Sequence, residues 1–550
     1  MVLIDDPADF CLQFTPGIGG DEYLLGVGAA AEQPTSFLVP MLTGVQGATP
    51  VITAPPALTV ANARPMSELA IDVEALQRRA AHYEAEQVIR AWEREHLNPA
   101  TNPSLRSAVP RSPSAAMAVP SVGDTIRMHV PDVDNTGGSG TTFGACDSVG
   151  IDVVVKTVGS AGIFVTDLNN PTTDSLTDVE IQAYSDTFDL HIYDVDTTYF
   201  GTPSDLDANE RVFVVLTVEV NKFLGGTIAG FVFSGDLFDP ATACATSDQG
   251  EIFYGHVPDP SNVAGTIPRS KAAVLQQMPS LIAHEFTHNI QQSRRIIEQG
   301  SSTPMSSWEA EGQAVLAEEV VGHSVLGKTT GQNYGVAVAL NGGGEDWYRF
   351  IFRRLAWYYG WNGGVGRNAN APEECSLFGN QSINFGTPCE PFWFYGTSWS
   401  FQRYVADRFG PTYPGGESAL MRDWIVKNSG LAGVPNVEAL LGVQMDSLFA
   451  RWAAMHYVDG RVPGVDPSIR MLSWDLDGVM NGLASAAPLE PAQRSFGNFN
   501  VVEAVRGGST LYWLLDTGGA RPAMALRVRD NNGQILGTAM KPQLWVVRVQ

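Results

Sequence analysis

Basic residues are scarce in this chain: 34 Lys and Arg stand against 59 Asp and Glu over 550 residues, a formal net charge of −25. A surface of that sign repels phosphate backbones, which excludes nucleic acid as a partner. Long apolar runs are missing too. None approaches the roughly 18 residues that a bilayer-spanning helix needs, so no transmembrane segment is expected. Met1 to Phe10 contain neither a basic n-region nor an apolar h-region, so the expected secreted or cell-surface location implies an export signal already removed. Cysteine is rare, with five in the chain. Cys375 and Cys389 flank a Gly/Asn/Pro-containing segment and are expected to pair, as are Cys146 and Cys244, which leaves Cys11 over.

What remains is enough for several cores. Apolar residues make up 44% of the chain, and the pattern along it is that of a multidomain α+β protein. Residues 1–60 alternate short apolar runs with Gly and Pro and read as a small β-rich module. Residues 61–120 read as one long helix, from Ser67 to about His96, followed by a Pro/Ser linker. That linker is a candidate domain boundary and a candidate cleavage point between a pro-region and a mature enzyme. A period of two marks 121–254 as β-rich, with runs such as Ile151-Asp152-Val153-Val154-Val155. Helical patterns dominate 255–470. Short strands return in 471–550, expected to form a C-terminal β domain.

With only nine histidines in the chain, two within five residues are informative. In His284-Glu285-Phe286-Thr287-His288 the imidazoles fall one turn apart on one helix face, where both reach a single metal ion with Glu285 beside them. Ile282, Phe286 and Ile290 form an apolar stripe at spacing four, so the segment belongs on a buried amphipathic helix. Downstream, Trp308-Glu309-Ala310-Glu311-Gly312 offers a carboxylate as third ligand from a second helix. Glu309 and Glu311 point to different sides of that helix, so only one of them can face the histidines. Three protein ligands leave a fourth tetrahedral position open, which distinguishes a catalytic from a structural Zn2+ site. Glu318 and Glu319, two turns on, are candidates to orient a ligand from behind.

A site of this kind needs one more donor for a developing oxyanion. Tyr395, at the expected start of a helix and next to Gly396, is the candidate. Arg403, Tyr404 and His456 are the others on nearby elements. His129, His191 and His256 fall on strand or loop segments without evident partners. Elsewhere, Ser204-Asp205-Leu206-Asp207-Ala208-Asn209-Glu210 spaces side-chain oxygens at alternate positions, as Ca2+ loops do, with Asp205, Asp207 and Asn209 as the ligands. Glu210 stands where an EF-hand requires glycine, and an Asx-rich turn leading into a strand is the competing reading.

The block Ala283 to His288, the Trp308-x-x-Glu311-Gly312 segment with Ala317-Glu318-Glu319 after it, and Tyr395-Gly396 leading into Arg403 to Gly410 together resemble the gluzincin metallopeptidases, most closely the hyicolysin-type secreted bacterial neutral proteases. The resemblance covers roughly residues 195–460. It implies a gluzincin catalytic domain with a mainly helical lower subdomain and a zinc held by His284, His288 and Glu311, which chooses Glu311 over Glu309. It also implies peptide-bond hydrolysis through a zinc-bound water activated by Glu285, with Tyr395 as oxyanion donor. The substrate is then a protein or peptide. An aminopeptidase on the same site is less well matched, because no Gly-x-Met-x-Asn-like signature precedes the histidines. An exported adhesion or polymer-binding protein with a non-catalytic zinc helix is the alternative from another class. Subsite specificity and oligomeric state are not legible here.

Overall fold

The computed structural model describes residues 1–16, 20–46, 119–132, 147–226, 228–238, 246–264, 267–340, 347–361, 372–379, 393–484, 486–516 and 523–550, together with Ile89, Glu93 and Glu95. It is a mixed α+β protein in which the two ends of the chain meet. The N-terminal strands are β1 (Val2–Ile4), β2 (Cys11–Phe14), β3 (Glu22–Ala29), β4 (Phe37–Leu38) and β5 (Pro40–Gln46). The middle strands are β6 (Thr125–Pro131), β7 (Ser148–Val158), β8 (Gly162–Asp167), β9 (Val212–Leu216), β10 (Gly230–Val232) and β11 (Ile252–Gly255). The C-terminal strands are β12 (Ala492–Ser495), β13 (Phe499–Val502), β14 (Val505–Arg506), β15 (Ser509–Asp516), β16 (Met524–Asp530) and β17 (Pro542–Arg548).

Two sheets, ordered β1-β17-β3-β15-β12 and β13-β5-β16-β2, interleave the two termini. β3 lies between β15 and β17, antiparallel to both, with Ser509 opposite Ala29 and Trp545 opposite Gly26. This corrects the expectation of separate β units at 1–60 and 471–550, because each supplies the strands the other must pair with. Cutting away residues 1–46 would open both sheets. Side-chain alternation shows where this double sheet sits. Leu511, Trp513 and Leu515 fill the core between the two sheets, whereas Tyr512 and Leu514 on the other face pack into the helical core. Buried on both faces, β15 reads in sequence as an unbroken apolar run.

The middle sheet is ordered β10-β11-β9-β8-β7-β6, with β9 parallel to both β8 and β11. One face carries Ile151, Val153, Ile163, Val165 and Val215 and is joined by Ile89. The expected helix from Ser67 to His96 lies mostly outside the described residues. Ile89, Glu93 and Glu95 are helical, and Glu93 accepts a hydrogen bond from the Ser234 amide. The other face, with Phe164, Val214 and Leu216, backs the helical core. The region read as β-rich also contains helices Asp178–Thr187 and Tyr193–Phe200; the first packs between this sheet and the histidine-bearing helix Lys271–Gln292, and the second against the helices that follow. Cys375 is disulfide-bonded and Cys11 is free. Cys146, Cys244 and Cys389 lie outside the described residues.

Four helices frame the candidate site: the histidine helix Lys271–Gln292, the glutamate helix Ser307–Val325, the arginine helix Arg349–Tyr358 and the tyrosine helix Trp393–Phe409. The histidine helix runs against β10 and β11 on one side and the glutamate helix on another. Two glycines set the spacing of the bundle. A Cβ on Gly312 would lie 2.4 Å from Gln402 Nε2 and 2.8 Å from the Ser398 carbonyl, and one on Gly396 would lie 2.2 Å from the Leu355 amide nitrogen. Any larger residue there would push the tyrosine helix away from the glutamate or arginine helix.

Candidate metal centre

The histidine helix starts at Ser270, whose hydroxyl accepts the Ala273 amide. The apolar positions that shape it, Ile282, Phe286 and Ile290, are buried as the stripe requires. The glutamate helix starts with a capping box between Ser306 and Glu309. Packed together, the two helices bring His284, His288 and Glu311 to one point, 5%, 3% and 2% exposed respectively. Glu311 Oε2 lies 3.2 Å from His284 Nε2 and 3.3 Å from His288 Nε2. Donors bound to one zinc at ~2.0–2.1 Å with tetrahedral angles stand about 3.3 Å apart. Both imidazole nitrogens stand at this spacing from the carboxylate oxygen, and the three donors lie within 4.8 Å of one another, so they fit the ion.

The remaining ring nitrogens are occupied in the way such a site needs. His284 Nδ1 donates to Glu318 Oε1 at 2.9 Å, and His288 Nδ1 donates to Gln291 Oε1 at 3.0 Å. Both acceptors are themselves held: Glu318 Oε1 by Arg354 Nη1 at 2.9 Å, and Gln291 through its amide to the Ala310 carbonyl and Gln313 Oε1. With each Nδ1 held from behind, each Nε2 is left facing Glu311.

Electrostatics agree with a site built for a cation. Burial opposes charge on His284, but hydrogen bonds to Glu311 and Glu318 and the charges of Glu318 and Glu285 outweigh it and hold the imidazole up at about 10. Burial likewise opposes ionisation of Glu311, yet His288 and His284 pull its carboxyl well below the usual range. Glu318 is also lowered, by Arg354 and His284 against its burial. Behind the histidines, burial pushes Asp196 well up, only partly offset by His284 and Thr287. Glu285, 3% exposed, is buried on the same helix as His284 and His288.

Tyr395 is the third residue of its helix, and its ring centroid lies 6.1 Å from that of His284. The Arg354 guanidinium sits over the same ring at 5.3 Å, so one arginine steadies both the carboxylate behind His284 and the tyrosine in front of it. Arg354 was not legible as a site residue. Its signal is an Arg353-Arg354 pair inside the otherwise apolar segment from Phe350 to Tyr359.

The other candidates fall away from this point. Glu309 accepts from Trp424 Nε1, Asn436 Nδ2 and the Gly433 amide, tying the glutamate helix to its neighbours. Glu319 accepts from the indoles of Trp399 and Trp474. Arg403 is paired with Asp407 and Glu417, and the Tyr404 hydroxyl donates to the Ser468 carbonyl. His456 accepts from the Tyr359 hydroxyl in an aromatic pocket. The three histidines read as lacking partners have them: His129 meets Asp248, His256 meets Arg269, and His191, which is helical, meets Ser324. The loop proposed for Ca2+ also differs from expectation. Asn209 donates its Nδ2 to Asp207 Oδ2 and accepts the Arg211 amide on Oδ1, and Glu251 takes its place beside Asp205 and Asp207.

No protein-family model and no curated protein matches the sequence. Two crystal structures of the M1 zinc metallopeptidase from Deinococcus radiodurans, one of them a mutant, align over 60% of this chain at 11% and 12% identity, with TM-scores of 0.25 and 0.26. This chain spans about half the length of that protein, 52% and 51% in the two alignments. Both structures are of M1 type and not of the hyicolysin type that the motifs resemble. Overlap that low does not establish a shared fold, and the geometry at His284, His288 and Glu311 stands apart from it.

Proposed function

We propose that the chain is a secreted, zinc-dependent metallopeptidase of gluzincin type that cleaves protein or peptide substrates as an endopeptidase. One observation carries the reading: two buried imidazole Nε2 atoms each stand at tetrahedral-ligand spacing from one buried carboxylate oxygen, with both Nδ1 atoms held from behind. His284, His288 and Glu311 hold the metal, which when bound supplies Lewis acidity at this point. Glu285 takes the proton of the attacking water and returns it to the leaving amine. The Tyr395 hydroxyl donates to the oxyanion that develops on the scissile carbonyl. Glu318, Arg354 and Gln291 keep the imidazoles oriented without touching substrate. The endopeptidase reading rests on the absence of an exopeptidase signature ahead of the histidines.

The test is hydrolysis of fluorescently labelled casein by the purified chain and by its Glu285→Gln variant, with zinc measured on both. Cleavage by the parent alone, with about one zinc per chain in each, is the expected result. Equal cleavage by the two proteins, or no zinc in the parent, overturns the reading.

A further inference from the structure

A second group of acids, two of them buried, converges away from the histidines. Asp205 and Asp207 come from the loop between helix Tyr193–Phe200 and β9, and Glu251 immediately precedes β11. One carboxylate oxygen of each lies within 4.8 Å of the other two. Asp207 and Glu251 are only 6% and 2% exposed, while Asp205 faces solvent. Among the described residues no Lys, Arg or His forms an ion pair with any of the three. Hydrogen bonds within the loop use Asp205 Oδ1, Asp207 Oδ1 and Asp207 Oδ2, and each leaves a lone pair over. Glu251 Oε1 accepts from Ser204 Oγ at 2.6 Å, whereas its Oε2 is buried without any hydrogen-bond partner. A buried carboxylate oxygen with no donor, next to two further acids, is costly unless a cation fills the gap.

We propose that Asp205, Asp207 and Glu251 bind a calcium ion. Calcium takes oxygen ligands at ~2.3–2.6 Å, so two donors on one ion stand up to about 5 Å apart, which accommodates the observed spread. The donor set is all oxygen, as this hard cation prefers, with no nitrogen or sulfur to favour zinc. Asp205 also lines a cavity of ≈ 350 Å³ with Tyr193, Ser204, Glu210 and Arg211. It gives the ion a path from solvent and room for the waters that complete its coordination.

The position of this group suggests what the ion does. Ser204 Oγ, held by Glu251, is also 2.8 Å from the hydroxyl of Ser293, the residue just past the histidine helix. Tyr193, at the cavity wall, stacks on Phe286 between the two histidines, with centroids 5.6 Å apart at 21°. Calcium would therefore clamp the loop against the histidine helix at its middle and at its end, adding stability to the frame that carries the metal centre.

The test uses calcium alone as the probe and needs no peptidase activity, so it stands whether or not the zinc reading does. Chain dialysed into calcium-free buffer, with its zinc content recorded, is titrated with CaCl2 by calorimetry and melted with and without the ion. One calcium per chain is expected, with Tm raised by about 2 °C at a hundredfold excess over Kd. Magnesium at the same concentration should give a clearly smaller rise. Glu251→Gln and Asp205→Asn should each abolish calcium uptake and leave zinc content unchanged. Asp205, on an exposed loop, keeps the test decisive if the buried variant misfolds. Absence of stoichiometric calcium in the parent, an equal response to magnesium, or uptake undiminished in a folded variant overturns the proposal.

Discussion

His284 and His456 are both 5% exposed and both lie on helices, yet their surroundings drive them in opposite directions. Around His284 stand Glu311, Glu318 and Glu285, and their charge outweighs burial and holds the imidazole up at about 10. Around His456 stand Tyr358, Tyr359 and Trp452, with the Trp452 ring 4.6 Å away, and burial unopposed by any acid drops it to about 3. Burial alone therefore says nothing about a histidine's task. A ring whose neighbours are anions is ready for a cation, whether proton or metal, and a ring among aromatics is a neutral packing group.

The contrast breaks most completely where the shared anion is removed. Glu311→Ala takes away the oxygen on which both Nε2 atoms converge, so zinc should be lost and hydrolysis should fall to background, as elemental analysis and the casein assay would show. Stoichiometric zinc in that variant would move the third ligand elsewhere. Next in size is Tyr395→Phe, which removes the hydroxyl proposed as oxyanion donor and leaves the ring stacked under Arg354. Turnover should drop by about a hundredfold with KM nearly unchanged. A normal rate would make Tyr395 a packing residue like Tyr358. Smaller again is Glu318→Gln, which keeps a hydrogen-bond acceptor for His284 but removes its charge. Zinc affinity, measured by competition with a chelator, should weaken about 10–100-fold. Unchanged affinity would mean that Glu318 serves only to bury Arg354.

How much of this contrast is legible before folding depends on the range of the signal. The histidine pair, its apolar stripe and the Glu311-Gly312 segment are local patterns, and spacing alone places them on helices. The Asp178–Thr187 helix is local as well and still goes unread inside a β-rich region, although Thr177-x-x-Glu180 is a capping-box signature and both halves of the box are formed. Non-local features leave no such trace. Nothing in residues 22–29 announces pairing with strands some five hundred positions away, and nothing near Asp207 points to Glu251 as the third acid beside it and Asp205. The fate of Glu309 and Glu319 was equally hidden, since solvated helix charges and buried hubs for tryptophan indoles look the same in sequence.

The smallest effect tests the other side of the comparison. In the folded chain His456 is held at about 3, whereas an unfolded histidine titrates near 6.5. Between those values the unfolded chain binds a proton that the folded chain refuses, so His456 makes stability fall as pH drops below about 6.5, and above that it contributes no slope. At pH 5 the loss amounts to roughly 2 kcal/mol. His456→Gln offers the Tyr359 hydroxyl an acceptor without a titrating ring. Urea unfolding at pH 7 and pH 5 should show the variant losing about 2 kcal/mol less than the parent over that interval. His284 cannot supply this slope, because its folded value lies above 6.5 and the sign reverses: it favours the folded state at low pH and loses that contribution as pH rises toward 10. An equal acid loss in parent and variant would show that His456 is charged in its pocket, and the division between a ligand histidine and a packing histidine would then have to be drawn on something other than the anions around it.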